Sequence, residues 1–122
     1  HMFAPLLAPL SSAQRYELDL SWPGPNTWLV PNWGLYPGWI TGESEEIAIR
    51  VTKAPALASL SYRLGRPLVS TSANPAGAQP ARHSFQVVRY FGQGLVRAPG
   101  VVDLEATPST IRRVSTGEVL RA

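Results

Sequence analysis

The chain has 122 residues and no cysteine, which indicates one small domain and excludes disulfides, thiolate metal sites and cysteine nucleophiles. Its hydrophobic content of 44% is typical of a globular protein rather than a disordered one. The net charge of +3 falls entirely within residues 82–122, where six arginines accompany three acidic residues.

The first segment predicts two short helices. Apolar residues at helical spacing run from Phe3 to Trp22, and Ser11 and Ser12 offer an N-cap for the second helix. The sequence WPGPNT, residues 22–27, then ends the helix because its two prolines bracket a glycine.

Two strands and a loop are predicted next. Thr27–Pro31 is predicted as a strand and residues 32–44, rich in Trp, Gly and Pro, as a loop. Glu46–Val51 alternates between apolar and polar residues, as a half-buried strand does. The side predicted to face the core carries Ile47, Ile49 and Val51.

Pro55 is suited to the first position of a helix that ends at Gly65. We expect this helix to face the core through one stripe of leucines, namely Leu57, Leu60 and Leu64. The sequence PLVS, residues 67–70, is predicted as a short buried strand.

The last third predicts a helix from Ser84 to Phe91 and a closing hairpin around Ser115–Gly117. The fold class is therefore mixed α/β (α+β), with a twisted, mixed or antiparallel sheet flanked by helices. We expect a single domain over residues 3–122, with residues 1–2 left from an expression vector. No membrane-length apolar run or signal peptide is visible, and we expect a soluble, cytoplasmic protein.

Metal chemistry based on protein ligands is not expected. His83 is the only histidine besides His1, and one histidine cannot form a zinc site. A position on the surface or at a helix cap is expected for it. The sequence also lacks a G-x-S-x-G elbow, a Walker P-loop and a G-x-G-x-x-G segment.

Polar clusters lie at the ends of predicted strands, where α/β proteins commonly bind ligands. They comprise Thr27 after a rigid turn, Arg50, the run Ser70–Asn74, and Ser109 with arginines nearby. Taken singly, each has an ordinary explanation as a turn, a strand end or a surface charge that pairs with Glu45 or Glu46. Together they favour a ligand site, since short hydroxyls let a ligand approach the backbone and arginine binds phosphate or carboxylate in a fork.

Four segments occur in the order and spacing of one family: SWPGPNTWLVP, IAIRVTKAP, GRPLVSTSANPAG and PSTIRRVSTGEVLR. The chain resembles the YrdC-like family, in particular its bacterial single-domain branch (TsaC or RimN type), from about Phe3 to its last residue. The resemblance implies a YrdC-like fold that lacks the amino-terminal portion, where the family has a P-T-[ED]-T-like segment and a K-x-R motif.

The resemblance implies synthesis of L-threonylcarbamoyladenylate from L-threonine, bicarbonate and ATP, with Mg²⁺ carried by the nucleotide. Other proteins of the pathway would use the product to modify an adenosine beside the tRNA anticodon. The implied substrate and nucleotide contacts are Thr27, Arg50, Ser70, Ser72, Ala73, Asn74, Ser109 and Arg121. We expect little synthase activity from this chain alone, because about half of the implied substrate site is missing.

Two alternatives stay open. One is a non-catalytic module that binds nucleotide, tRNA or other RNA, for which the candidate residues are Arg82, Arg89, Arg112 and Arg113. The other is a degenerate paralogue kept as a scaffold. Whether the source gene encodes the missing segment upstream in frame would distinguish this paralogue from a truncated synthase.

We predict that the chain self-associates or is less stable than a complete domain, because absent strands leave open sheet edges and uncovered apolar faces. Light scattering should detect oligomers whose proportion rises with concentration. A stable monomer at high concentration with a sharp unfolding transition would contradict the prediction.

Overall fold

The structure, a computed structural model, describes residues 2–100 and 104–122. It divides into two compact units, one formed by His1–Pro67 with Pro108–Ala122 and the other by Leu68–Thr107. The expectation of one domain over residues 3–122 stays a prediction.

The first unit contains most of the regular structure. Its elements are α1 (Ala4–Leu7), α2 (Ser12–Ser21), β1 (Asn26–Pro31), α3 (Gly38–Thr41), β2 (Glu46–Arg50), α4 (Pro55–Leu64), β3 (Thr110–Arg113) and β4 (Val119–Arg121). The described strands form a mixed sheet in the order β2-β1-β3-β4. β1 is antiparallel to β2 and parallel to β3, and β3 is antiparallel to β4. A mixed sheet with helices confirms the predicted fold class.

The predicted N-cap of the second helix is confirmed at Ser11. Its hydroxyl accepts a hydrogen bond from the Gln14 backbone N–H at 3.2 Å, and the Gln14 side chain accepts one from the Ser11 N–H at 2.9 Å. This reciprocal capping box satisfies two of the N–H groups that the first turn leaves free. The bond from Trp22 to Pro23 that follows the helix is cis.

The core lies on one face of the sheet and includes side chains of the first two helices. Its buried members are Leu6, Leu10, Leu18, Trp28, Val30, Ile47, Ile49 and Val114. The predicted alternation of β2 is confirmed, since Ile47 and Ile49 are buried while Ala48 and Arg50 are exposed. Val51 lies beyond the end of the strand and is half-buried.

The predicted loop over residues 32–44 contains one helical turn, α3. The Thr41 N–H donates to the Pro37 carbonyl at 3.4 Å, and the Gly42 N–H donates to the Gly38 carbonyl at 2.6 Å. Gly42 has φ +66°, which glycine adopts readily and which ends the turn. The loop prediction missed α3 because a turn this short gives little periodic signal.

The helix predicted from Pro55 to Gly65 is confirmed. The prediction that its leucine stripe faces the core was wrong. Leu57, Leu60 and Leu64 are 42%, 45% and 56% exposed. Helical periodicity places the three leucines on one face. It contains no information about which element, if any, covers that face.

The buried strand predicted at residues 67–70 was also wrong. These residues have no regular secondary structure, and Val69 is 73% exposed. A short apolar run becomes a buried strand only when another strand pairs with it and a layer covers it. None of the described strands pairs with residues 67–70.

The helix and the hairpin predicted for the last third are confirmed. The second unit contains α5 (Ser84–Phe91), and β3 and β4 form the expected closing hairpin. His83 is exposed at the N-cap of α5, where its backbone N–H donates to the Gln86 side chain at 3.0 Å. Across the two described ranges, we find no helix long and apolar enough to cross a membrane.

Candidate functional site

Three of the candidate residues are connected by a row of paired positions across the four strands. Thr27 pairs with Arg50 of β2 and with Ile111 of β3, and Ile111 pairs with Arg121 of β4. Paired residues project to the same face of a sheet, and neighbouring residues alternate between faces. Because Trp28 projects into the core, this row belongs to the opposite face.

Ser109 connects two side chains of this row. Its hydroxyl lies 2.8 Å from the Thr27 hydroxyl. Arg121 donates from Nε to the Ser109 carbonyl at 3.0 Å and from Nη2 to the Ser109 hydroxyl at 3.3 Å. Ser109 is buried, with 8% of its surface exposed. The result is a hydroxyl pair in contact with a guanidinium group.

Arg50 offers a second guanidinium on the same face. Its side chain is exposed, and it takes part in none of the ion pairs found within the described residues. The alternative pairing of Arg50 with Glu46 is not observed, because Glu46 binds Arg113 instead. The charge of Arg50 is therefore available to an anionic ligand.

The candidate residues Ser70, Ser72, Ala73 and Asn74 lie in the second unit, in an irregular segment. The first three are exposed and Asn74 is half-buried. Backbone hydrogen bonds shape this segment, with the Asn74 N–H donating to Ser72 O at 3.0 Å and the Ala81 N–H to Ala73 O at 2.8 Å.

The two polar atoms of the Asn74 side-chain amide differ in their hydrogen bonding. Its Nδ2 donates to the Pro75 carbonyl at 2.9 Å. Its Oδ1 is buried and has no hydrogen-bond partner within the part of the chain that the structure describes. A buried acceptor without a donor is costly.

The four arginines considered for RNA binding differ in their surroundings. Arg113 is held by Glu46 at 2.9 Å and Glu118 at 2.7 Å, and the hydrogen bond and charge of Glu46 raise the pKa of Arg113. Arg82 donates to the Leu104 carbonyl. Arg112 lies with its guanidinium 6.0 Å from the centre of the Trp28 ring. Arg89 is exposed in the last turn of α5.

A cavity of about 820 Å³ lies at the carboxyl end of β1, where Pro31, Glu46 and Arg113 contribute to its lining. Thr27 lies near the other end of β1, where Ser109 contacts it. Within the described ranges, no cluster of three or more His, Asp or Glu side chains could hold a metal ion.

Comparison with known proteins identifies the family. A family model described as Telomere recombination (Sua5_yciO_yrdC) matches residues 3–122. The chain belongs to this family. The family predicted from the four sequence segments is therefore confirmed.

Two similar curated proteins carry the same name. A Cellvibrio japonicus protein named threonylcarbamoyl-AMP synthase is 48% identical over 118 residues, which are 96% of this chain and 62% of that protein. A Nitrosococcus oceani protein of the same name is 47% identical over 116 residues, 94% of this chain and 63% of its own length. The chain thus spans less than two thirds of each of these two relatives.

A solved structure has a similar fold. It is a variant of the Sua5 protein of P. abyssi, with a TM-score of 0.72 and 22% identity over 87% of this chain and 33% of that one. This likeness supports the family fold independently of close sequence identity.

The hydroxyl contact between Thr27 and Ser109 can be tested by a double-mutant cycle in which Thr27→Val and Ser109→Ala are combined. We expect a coupling of about 0.5–1.5 kcal/mol in the free energy of unfolding, since this is the usual net value of a hydrogen bond. Urea unfolding monitored by tryptophan fluorescence measures it. Ser115→Ala, at an exposed serine, is the control, and strictly additive effects would contradict the contact.

Proposed function

We propose that this chain contributes part of the substrate site of a threonylcarbamoyl-AMP synthase. Such an enzyme joins L-threonine and bicarbonate to the adenylate of ATP and releases pyrophosphate. The proposal rests on family membership, on the name carried by the similar proteins, and on one structural observation. That observation is the hydroxyl pair of Thr27 and Ser109 with a guanidinium on either side in the same row of the sheet.

The chemistry of this row suits the proposed substrates. Threonine brings a carboxylate, its carbamate brings a second anionic group, and ATP brings phosphates. Guanidinium groups bind planar carboxylates and phosphates with two parallel hydrogen bonds. In the proposal, Arg50 and Arg121 hold these anions, while the hydroxyls of Thr27 and Ser109 orient them.

The second unit, taken by itself, carries neutral hydrogen-bonding groups that suit the same classes of substrate. Ser70 and Ser72 have exposed hydroxyls that can approach phosphate or carboxylate oxygens closely. Ala73 leaves the backbone accessible to a ligand, and the Asn74 Oδ1 would accept a hydrogen bond from a substrate N–H or O–H. Filling this acceptor would remove the cost of burying it alone.

Catalysis in this proposal consists of positioning and charge stabilisation. An oxygen of the threonine carbamate attacks the α-phosphorus of ATP, and the bond from that phosphorus to the pyrophosphate oxygen breaks. The guanidinium groups stabilise the charge that develops on the phosphate oxygens. Mg²⁺ would be carried by ATP as part of the substrate.

The product would serve tRNA processing. A threonylcarbamoyladenylate is an activated acyl donor, and the consuming reaction would transfer its acyl group to an adenosine of tRNA. Downstream pathway proteins would perform that transfer, which makes them the proposed partners of this reaction.

Arg50→Ala should weaken binding of ATP and threonine without a large loss of stability. Removing a charge-assisted contact costs about 1.5–3 kcal/mol, or roughly a tenfold to hundredfold rise in Kd. Isothermal titration calorimetry with each substrate measures this rise. Arg63→Ala removes an equal charge from α4 and is the matched control. Equal affinity for the two variants would overturn the role of Arg50.

The second candidate function is an RNA-binding module, favoured by the exposed guanidinium groups of Arg89 and Arg112. Arg113 contributes less positive charge to the surface of its own unit, because two carboxylates neutralise it.

Under the RNA-binding hypothesis, tRNA affinity should fall steeply with salt and drop further in Arg89→Ala and Arg112→Ala. Electrophoretic mobility shifts at several salt concentrations measure both effects. Binding that is unaffected by Ser72→Ala and Asn74→Ala would favour this function over the synthase. Absence of any salt-dependent shift would exclude it.

A further inference from the structure

Asn26 begins β1 directly before Thr27, and its side chain binds the last turn of α2. Its Nδ2 donates to the Ser21 carbonyl at 3.2 Å, in a half-buried position. The helical partner of that carbonyl would be the N–H four residues further on, which is absent because position 25 is a proline. The Asn26 amide therefore supplies a donor that the backbone cannot provide at that position.

Thr27 is held between two residues that are anchored on Ser21. Trp28, on its other side, donates from its indole Nε1 to the Ser21 hydroxyl at 2.8 Å. Successive residues of a strand alternate between faces, so the side chains of Asn26 and Trp28 lie toward α2 while that of Thr27 projects to the opposite face. There the Thr27 hydroxyl lies 2.8 Å from the hydroxyl of Ser109.

The loop that Asn26 closes also places Ser109. The Trp22 indole donates to the Asn26 carbonyl at 2.9 Å, so Asn26 binds the end of α2 through both its side chain and its backbone. Pro25, inside this loop, accepts a hydrogen bond from the Thr110 N–H at 3.0 Å. Because Thr110 follows Ser109 in the chain, the closed loop fixes the position of both members of the hydroxyl pair.

The loop packs closely around the carbonyl that Asn26 binds. Gly24 is buried, and a Cβ added there would lie 3.1 Å from the Ser21 carbonyl oxygen. The Gly24 N–H donates to the Val51 carbonyl at 2.8 Å, so this donor is directed away from Ser21. Loss of the Asn26 amide would leave the Ser21 carbonyl closely packed and without this donor, which is unfavourable.

We propose that Asn26 is a positioning residue of the candidate site, which holds the hydroxyls of Thr27 and Ser109 in contact by closing the loop that precedes β1. It acts through these two residues rather than by touching substrate. The inference rests on the proposed function for its consequence in substrate binding, whereas the contact between the hydroxyls is measured in the chain alone.

The first test repeats the double-mutant cycle of Thr27→Val and Ser109→Ala in an Asn26→Asp background. At neutral pH, aspartate keeps the shape of the side chain but replaces the donor with an oxygen that repels the Ser21 carbonyl. With Asn26 present, the two hydroxyl substitutions should be coupled by about two- to tenfold in the unfolding equilibrium constant. In the Asn26→Asp background they should be additive. Urea unfolding measures both cycles.

Asn32→Asp is the matched control. Asn32 also donates from Nδ2 to a backbone carbonyl, that of Tyr36, at 2.8 Å, but it lies beyond the opposite end of β1. Its replacement should lower stability and leave the coupling of the two hydroxyls intact. Equal loss of coupling in the two variants would mean that Asn26 contributes only general stability, and it would overturn the proposal. Coupling that persists in Asn26→Asp would overturn it as well.

Hydrogen exchange gives a second measurement in Asn26→Ala, which removes the donor without adding a charge. The Thr110 N–H bonds to the Pro25 carbonyl, directly before Asn26. The Val114 N–H bonds to the Leu29 carbonyl, nearer the other end of β1. Exchange at Thr110 should increase about tenfold more than exchange at Val114, because the loop opens locally. A similar increase at both amides would contradict the positioning role.

Substrate affinity measures the consequence for the site. Asn26→Asp should raise the Kd for ATP by about two- to tenfold when Thr27 is present, and much less in a Thr27→Val background. Isothermal titration calorimetry measures both. An equal rise in the two backgrounds would show that Asn26 does not act through Thr27. A chain that binds neither ATP nor threonine would refute the proposed function, while the unfolding cycles and hydrogen exchange would still decide the role of Asn26.

Discussion

The parallel pairing of β1 with β3 is the contact on which the first unit depends. The Thr110 N–H donates to the Pro25 carbonyl and the Val114 N–H donates to the Leu29 carbonyl, both at 3.0 Å. These bonds join segments more than eighty residues apart, and the entropy of closing so long a loop must be offset before the pairing is stable. The pairing also brings Ser109 to Thr27, so the sheet and the candidate site form through the same event.

Local signals predicted the elements that are stabilised locally. The Ser11 cap, the proline and glycine at the two ends of α4, and the alternation of β2 each depend on residues within one or two turns of the chain. Such patterns can be recognised in a single sequence because the interactions that produce them span only a few positions. The resemblance to a known family predicted that Thr27, Ser109 and Arg121 belong to one site. In the structure, hydrogen bonds connect these three residues. Their role in binding stays a prediction.

Tertiary partners explain what the sequence could not predict. The leucines of α4 and the residues 68–70 have the composition of buried segments, yet they are exposed in the described chain. Composition predicts that a surface is apolar, whereas burial depends on a second surface that covers it. The pairing of Arg113 with Glu46 was missed for the same reason, because it connects strands on opposite sides of β1.

Charge is unevenly distributed on the sheet face that carries Thr27, Arg50 and Arg121. At one end, Arg113 is compensated by Glu46 and Glu118. At the other end, Arg50 and Arg121 belong to the row that contains the hydroxyl of Thr27, and neither forms an ion pair among the described residues. An anion near this face is therefore attracted to the end that carries the hydroxyls, because that is where the positive charge is not neutralised. The net charge of +3 is modest, so the position of Arg50 and Arg121 beside the hydroxyl pair matters more for the potential at this face than the total charge does.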